Sequence, residues 1–246
     1  MNILVGIGVV LGLLVIFGMI GFMFLRREIS KMKTVETQEV IENIYAVQDS
    51  QVNFYLIKSG DQYLAIDAGN NVDQVQQQFE NLNINPLDVT IVLLTHTDSD
   101  HVAALDLFKN ATIYISEAEE QMIDGRTARF MSNHNALVYD YELFADEQVI
   151  ELLGVKVKGI LTPGHTMGSM SYIINNKYLF TGDTLGLDNG KVYKIDGLLR
   201  SFYYMDTAAQ QESLQKLANL NGIEYIFTGH YGFTNDYATA FTNWDQ

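Results

Sequence analysis

Four of the five histidines in this chain come shortly after segments with the apolar pattern of β-strands, and Asp183 follows another such segment. The histidines are His96, His101, His165 and His230. Residues just past strand ends lie on loops that a rigid scaffold positions, so these side chains could converge on one cleft. The chain contains no cysteine, and imidazole and carboxylate groups without sulfur suit Zn²⁺, Fe or Mn. The sequence therefore predicts a metal site built at strand ends.

The segment HTDSDH, residues 96–101, holds the densest group of candidate ligands. In an extended loop, residues two apart point the same way, so His96, Asp98 and Asp100 can share one face. His101, adjacent to Asp100, could serve a second metal ion. Taken alone, the segment could simply cap a helix that begins near Asp100, because Asp is a good N-cap residue. The occurrence of all these segments in one chain favours the metal site.

The elements that must position these residues are strand pairs mixed with helices. Strand-like segments are Asn53–Lys58, Tyr63–Asp67, Val89–Thr95, Ala111–Ile115, Val155–Leu161, Ser171–Ile174, Tyr178–Thr181 and Glu224–Thr228. Helical periodicity covers Val72–Leu82, Asp100–Phe108, Ala118–Ile123 and Thr207–Leu220, the last with Asp206 as N-cap. This mixture predicts an α/β (α+β) domain, residues 37–246, with helices flanking sheets rather than a regular parallel βαβ repeat.

The ordered segments HTDSDH, PGHTMGS, TGDT and TGHYG resemble the motifs of the metallo-β-lactamase superfamily. The similarity covers nearly all of residues 40–235. It implies an αββα sandwich with the metal ions at one edge between two β-sheets, and it implies that the IDAG segment, Ile66 to Gly69, supports the site. It also implies two divalent metal ions, zinc first, with Mn or Fe as alternatives.

Carried over residue by residue, the resemblance implies a dinuclear ligand set. The first metal would be bound by His96 and His165, the second by Asp100, His101 and His230, and Asp183 would bridge the two. A hydroxide held between the metals would be the nucleophile, and Asp100 would orient it. Tyr231, next to His230, could donate a hydrogen bond to an oxyanion; a buried aromatic is the alternative.

The segment departs from the common hexad HxHxDH at Asp98, which stands where the family has histidine. As a ligand, this extra carboxylate would lower the net positive charge of the site, raise the pKa of bound water and favour Mn or Fe. A carboxylate here resembles flavodiiron proteins, which carry Glu, and the nuclease-like domain of bacterial DNA-uptake channels. Alternatively, Asp98 is not a ligand and only one metal ion binds tightly.

The segment Ile3–Leu25 contains no charged residue and is long enough to cross a ~30 Å hydrocarbon core as a helix. A signal peptide is the alternative, but no Lys or Arg precedes the run and no small-residue cleavage site follows. We therefore expect a transmembrane anchor (1–27) and a juxtamembrane stalk (28–36). Arg26, Arg27, Lys31 and Lys33 follow the run, so the positive-inside rule predicts a cytoplasmic domain and an outside N-terminus in the cell membrane. A Gly8–Gly12 pair could support a homodimer.

The charge distribution bears on the partners of the domain. The net charge is −15, and the first 33 residues carry four cations and one anion, so the remainder carries −18. This acidic charge argues against binding to nucleic acid, because proteins bind phosphates through basic surfaces. The segment from Lys191 to Tyr204 could border a substrate or form a solvated surface hairpin. Residues 125–135, with Arg126, Arg129 and His134, form either a lid or an ordinary loop.

Three functions agree with these observations. The first is hydrolysis of a small thioester, lactone or ester by a membrane-anchored enzyme similar to hydroxyacylglutathione hydrolase. The second is a phosphodiesterase acting on a lipid headgroup, nucleotide or nucleic acid. The third is a metal-holding membrane scaffold or sensor with little turnover.

Overall fold

The computed structural model describes residues 18–23, 26–27, 30–129, 135–193, 200–242 and 244. The strands are β1 (Gln38–Ile41), β2 (Ile44–Asp49), β3 (Val52–Ser59), β4 (Gln62–Ile66), β5 (Val89–Leu93), β6 (Thr112–Ser116), β7 (Glu142–Phe144), β8 (Val149–Leu152), β9 (Val155–Leu161), β10 (Met170–Ile174), β11 (Tyr178–Phe180), β12 (Gly186–Asp188), β13 (Lys191–Tyr193), β14 (Tyr225–Phe227) and β15 (Phe233–Thr234). The helices are α1 (Val72–Leu82), α2 (Ser99–Val102), α3 (Glu120–Ile123), α4 (Arg200–Tyr203), α5 (Thr207–Ala218) and α6 (Tyr237–Ala240). Short 3-10 turns cover Pro86–Asp88, Leu105–Leu107 and Glu117–Glu119.

Two mixed sheets form the centre of the domain. The first has strand order β1-β2-β3-β4-β5-β6-β7, the second has the order β15-β14-β11-β10-β9-β8, and β12 and β13 form a separate hairpin. β4 pairs in parallel with β5, β5 with β6, β6 with β7, and β11 with β14. The other neighbouring strands are antiparallel. Apolar side chains from both sheets, such as Ile66, Leu93, Tyr172 and Phe227, pack into one cluster. The sheets therefore face each other across a shared core.

Helices cover the outer faces of both sheets, which confirms the predicted αββα sandwich. Val75 and Phe79 are four residues apart on one face of α1, and both are buried in the cluster outside the first sheet. Leu214 and Leu217 of α5 are buried in the cluster outside the second sheet. The side chain of Asp206 accepts hydrogen bonds from the first turn of α5, as its N-cap position predicted.

The helix predicted over Asp100–Phe108 is wrong in its extent. The structure has α2 at Ser99–Val102, followed by the separate 3-10 turn at Leu105–Leu107. The His101 carbonyl accepts a hydrogen bond from Ala68 N at 2.8 Å, so it serves a neighbouring segment instead of the next turn of a helix. The short helix therefore holds the HTDSDH segment against the loop after β4.

Most of the predicted membrane span, residues 3–25, lies outside the described residues, as do Gly8 and Gly12. Residues 18–23 and 26–27 are helical, with Met19, Phe22 and Met23 exposed. Within the described ranges, no helix has the length and apolar character needed to cross a membrane. The segment expected as a stalk packs along the domain: Lys33 N donates to His230 O at 2.9 Å, and Val35 N donates to Asn53 Oδ1 at 2.7 Å.

Candidate metal centre

Each predicted ligand follows the carboxyl end of a strand; Asp100 and His101 lie in the short helix α2, and the others lie in loops. The segment with His96, Asp98, Asp100 and His101 follows β5, and His165, Asp183 and His230 follow β9, β11 and β14. Because β5 belongs to the first sheet and the other three strands to the second, the loops of both sheets meet at one edge of the sandwich.

The candidate ligand atoms fall into three groups, in each of which the atoms lie within 4.8 Å of one another. The groups are His96 with Asp98 and His165; His96 with His101 and Asp183; and Asp100 with His101 and His230. The structure thus brings together all seven residues that were predicted as metal ligands.

Asp183 lies at the centre of this cluster and is 5% exposed. Its Oδ1 is 3.3 Å from His101 Nε2, and its Oδ2 is 3.3 Å from His165 Nε2 and 3.2 Å from His230 Nε2. A Cβ added at Gly229 would lie only 2.6 Å from Asp183 Oδ1, so the close approach of the two loops requires a glycine there.

The buried nitrogen and oxygen atoms of the cluster that make no hydrogen bond fit a metal ion. His96 Nε2, His101 Nε2 and Asp183 Oδ1 are buried and make no hydrogen bond among the described residues; the last two lie 3.3 Å apart without hydrogen-bond geometry. Buried polar atoms are nearly always paired, so unpaired atoms that face one another indicate a ligand. Imidazole nitrogens and carboxylate oxygens are the donor set of catalytic zinc sites.

Hydrogen bonds on the far side of the imidazoles orient these atoms. His101 Nδ1 lies 2.8 Å from Asp67 Oδ2, and His230 Nδ1 donates to Gln51 O at 2.5 Å. Thr95 Oγ1 lies 3.0 Å from His96 Nδ1 and also bonds to Asp67. In each ring, Nε2 is left to face the cluster, which is how metal-binding histidines are commonly held. The prediction that the IDAG segment supports the site is confirmed by these Asp67 contacts.

The charges of the cluster divide the four imidazoles into two pairs. Burial alone would raise the pKa of Asp183, but the surrounding imidazoles hold it well below its usual value. Burial would likewise lower the pKa of His230, yet Asp183 and a neighbouring carboxylate raise it to about 10, and the pKa of His101 is also raised. Burial lowers the pKa of His165 to about 3 and that of His96 well below its usual value. One pair is therefore neutral and the other cationic.

The carboxylate of Asp98 contacts Arg129, a residue that the sequence predicted only as part of a loop or lid. Asp98 occupies the N-cap position of α2 but makes no side-chain capping bond, so the capping explanation is wrong. Its carboxylate instead accepts hydrogen bonds from the Arg129 guanidinium and from Asn135 Nδ2, the latter at 2.8 Å, and lies 3.2 Å from His165 Nε2. The Arg129 side chain is 12% exposed and also donates to Tyr203 O. No sequence spacing could have linked Arg129 to Asp98, because their contact depends on the fold.

The tyrosine hydroxyl at the cluster belongs to Tyr203. Its Oη donates to Asp183 Oδ2 at 3.1 Å, and its ring centroid is 4.7 Å from that of His165. The predicted Tyr231 is buried in the cluster outside the second sheet, where its ring lies 5.5 Å from that of Tyr193. Its catalytic role stays a prediction. Lys194 and His134 lie outside the described residues.

A cavity of about 690 Å³ opens over the cluster. It is lined by Met32, Ser50, Gln51, Val52, Asn70, Asp98, Ser99, Asp100, Arg129, Asn135, His165, Asp183, Tyr203 and His230. A space of this size suits a small molecule. The lining combines the candidate ligands with amide, hydroxyl and apolar groups, so it can contact both polar and apolar parts of a substrate.

Comparison with known proteins agrees with this geometry. A family model described as the metallo-beta-lactamase superfamily matches residues 47–230. A hydroxyacylglutathione hydrolase of Glaesserella parasuis is 33% identical over 161 residues, covering 64% of this chain and 57% of the relative. A probable polyketide biosynthesis zinc-dependent hydrolase of Bacillus velezensis is 30% identical over 125 residues, covering 50% and 49%. The chain thus spans only about half or slightly more of the length of these relatives.

A solved structure shows the same fold. The metallo-beta-lactamase of Cronobacter sakazakii superposes with a TM-score of 0.63 at 20% sequence identity, covering 82% of this chain and 80% of the other. At this identity the likeness concerns the fold alone.

The cationic pair predicts that metal binding releases protons. His101 and His230 carry raised pKa values, that of His230 about 10, so both are protonated at neutral pH, whereas a metal ion binds the unprotonated ring. Zinc affinity should therefore rise as the pH is raised from 6 towards 9. Calorimetric titration with Zn²⁺ in buffers of different ionisation enthalpy should give a release of one to two protons per chain. A binding enthalpy that does not depend on the buffer would contradict the assignment.

Proposed function

This chain belongs to the metallo-β-lactamase superfamily, and we propose that it is a metal-dependent hydrolase of a small thioester, lactone or ester. The observation that carries the proposal is the convergence of seven imidazole and carboxylate ligands, with three unpaired buried atoms among them, under a cavity sized for a small molecule. The relative named as a hydroxyacylglutathione hydrolase supports a thioester as the first substrate to test.

We assign two metal positions to the cluster. His96, Asp98 and His165 form the first position, and Asp100, His101 and His230 form the second; each group lies within 4.8 Å. Asp183 lies between the two and can contribute to both. Zinc is the metal favoured by the four imidazoles and by the relative named as zinc-dependent, with Mn or Fe as alternatives. When bound, such ions lower the pKa of water and polarise a carbonyl oxygen.

The side chains of the cavity then have distinct tasks. Asp100 is 37% exposed and its pKa is lowered by the neighbouring imidazoles, although burial opposes this, so it is a carboxylate at neutral pH. It can accept a proton or a hydrogen bond from an attacking water. Burial and the charge of Asp183 raise the pKa of Tyr203 well above its usual value, so its hydroxyl stays a donor. It can orient Asp183 or a substrate oxygen.

Asp98 and Arg129 act as one unit in this proposal. The carboxylate of Asp98 brings a negative charge where the family hexad has histidine, and the partly buried guanidinium of Arg129 brings a positive charge to the same place. The pair is formally neutral, as a histidine would be. The loss of Lewis acidity that Asp98 alone would cause is therefore offset by Arg129.

We further propose that residues 3–25 anchor the chain in a membrane with the domain on the cytoplasmic side. The uncharged run, the four cations after it and the exposed apolar side chains of residues 18–23 support this.

A substrate panel tests the hydrolase. The zinc-loaded full chain should hydrolyse an S-acyl glutathione faster than bis-p-nitrophenyl phosphate, and a lactone should be tested beside them. Asp100→Asn should lower kcat/KM by about 100-fold, because it removes a proton acceptor and also a charged ligand of the second metal position. Asp61 is exposed in the turn between β3 and β4, so the control Asp61→Asn should leave kcat/KM unchanged. Faster cleavage of the phosphodiester would favour the phosphodiesterase, and no turnover by a zinc-loaded chain would favour the scaffold.

A double variant tests the Asp98–Arg129 unit. Asp98→His restores the common hexad, yet it should weaken zinc binding at the first position by tenfold or more, because it leaves the partly buried guanidinium without a carboxylate beside the metal. Arg129→Met added to that variant should restore the affinity, because it removes the positive charge that has lost its carboxylate partner. Chelator competition measures all variants. Equal affinities for Asp98→His with and without Arg129 would show that the two side chains act independently.

Membrane fractionation tests the anchor. The full chain should remain in the membrane pellet after an alkaline carbonate wash and leave it only with detergent. A variant that begins at residue 30 should stay in the supernatant. Release of the full chain by carbonate would contradict the anchor without bearing on the hydrolase.

A further inference from the structure

A buried carboxylate outside the ligand cluster connects two of its loops. Glu119 lies in the 3-10 turn Glu117–Glu119 after β6 and is 0% exposed. Its Oε1 accepts hydrogen bonds from Thr97 N at 2.9 Å and Thr97 Oγ1 at 2.8 Å. Its Oε2 accepts from Thr166 Oγ1 at 2.7 Å and Gly168 N at 3.1 Å. Each carboxylate oxygen thus accepts from one backbone amide and one hydroxyl.

The donors stand directly beside the ligands of the first metal position. Thr97 lies between His96 and Asp98, and Thr166 follows His165. We propose that Glu119 is a positioning residue that sets the geometry of this first position by tying the two loops together. This inference rests on the proposed metal-dependent function.

Only an ionised glutamate satisfies all four donors. The two backbone N–H groups can only donate, and they bind different oxygens of the carboxylate. A glutamine would turn its NH₂ group towards one of them and lose that bond. An aspartate is shorter by one methylene and could not reach both loops. A buried donor left without its partner costs about 1–3 kcal/mol, so the loops would shift to find another partner.

The packing around Glu119 leaves little freedom for such a shift. A Cβ added at Gly168 would lie 2.2 Å from Glu119 N, so the two backbones are in close contact. Ser169 Oγ accepts from Thr166 N at 3.0 Å and lies 2.8 Å from Thr166 Oγ1. Since Thr166 donates its only hydroxyl proton to Glu119, Ser169 must be the donor in the second contact. The hydroxyl is therefore held towards the carboxylate.

Other groups hold the second metal position. His101 is oriented by Asp67, and His230 by the carbonyl of Gln51. Because Glu119 contacts neither of these residues, its loss should weaken the first position selectively.

Two single-site backgrounds test this selectivity in the full chain. His230→Asn damages the second position and leaves the first, whereas His165→Asn does the reverse. In the His230→Asn background, adding Glu119→Gln should weaken Zn²⁺ binding by about 10–100-fold, as measured by competition with a chromophoric chelator. In the His165→Asn background, the same substitution should leave Zn²⁺ affinity within about twofold. Glu117→Gln removes an exposed charge from the same turn and should change neither affinity.

Equal weakening in both backgrounds would overturn the proposal, because it would mean that Glu119 stabilises the domain in general. Unchanged affinity in both would overturn it as well. If Glu119→Gln does not fold, Thr97→Val with Thr166→Val removes the two hydroxyl donors and should weaken only the first position, by a smaller factor. A wild-type chain that binds no Zn²⁺ would contradict the proposed function itself, and this inference with it.

Discussion

The almost fully buried carboxylate of Asp183 lies within 3.3 Å of the Nε2 atoms of three imidazoles, and the architecture of the site follows from that crowding. A buried charge is tolerated only when opposite charges or hydrogen bonds surround it. Asp183 comes from the second sheet, whereas one of its imidazole partners, His101, comes from the first. Their contact therefore requires the two sheets to end at the same edge. It also requires a backbone without a side chain at Gly229, where a Cβ would meet Asp183. The shared core between the sheets fixes this alignment, so the packing of the sandwich and the geometry of the site are one constraint.

Behind the ligands, a second set of polar groups determines which atoms face the cavity. Asp67 contacts the ring of His101, the carbonyl of Gln51 contacts that of His230, and Glu119 connects the two loops of the proposed first metal position. These groups come from the loop after β4, from the turn before β3 and from the turn after β6, so each depends on a different part of the first sheet. A cluster that must accept metal ions carries unpaired buried atoms in their absence, and this costs stability. The surrounding hydrogen bonds provide the rigidity that keeps those atoms from rearranging into pairs.

The convergence of the candidate ligands could be predicted from the sequence because each follows a strand with a clear apolar pattern, whereas their assignment to two metal ions came from the family resemblance. Strand ends recur at one edge in a layered α/β fold, so His96, His165 and His230 could be brought together without coordinates. Strands with little apolar pattern, such as β1 and β8, were missed, since their residues are half exposed or exposed. The extent of the helix after Asp100 was wrong because a tertiary hydrogen bond to the His101 carbonyl outweighs local propensity. Glu119 and the Asp98 contact of Arg129 gave no signal, because both depend on contacts between residues distant in sequence.

The exchange of histidine for Asp98 has to be considered together with its surroundings. A carboxylate without a cation would draw protons or metal ions more strongly and would weaken the polarising effect of the ions on a substrate. The guanidinium of Arg129 lies within hydrogen-bonding distance of both Asp98 and His165, so it contacts two side chains of the proposed first metal position. Because it is largely shielded from water, its charge is weakly screened, and the carboxylate and guanidinium constrain each other. The chain thus departs from the common hexad at Asp98, and this departure is coupled to Arg129, which lies in a loop outside the motif. A motif that differs by one residue therefore does not by itself describe the electrostatics of the site.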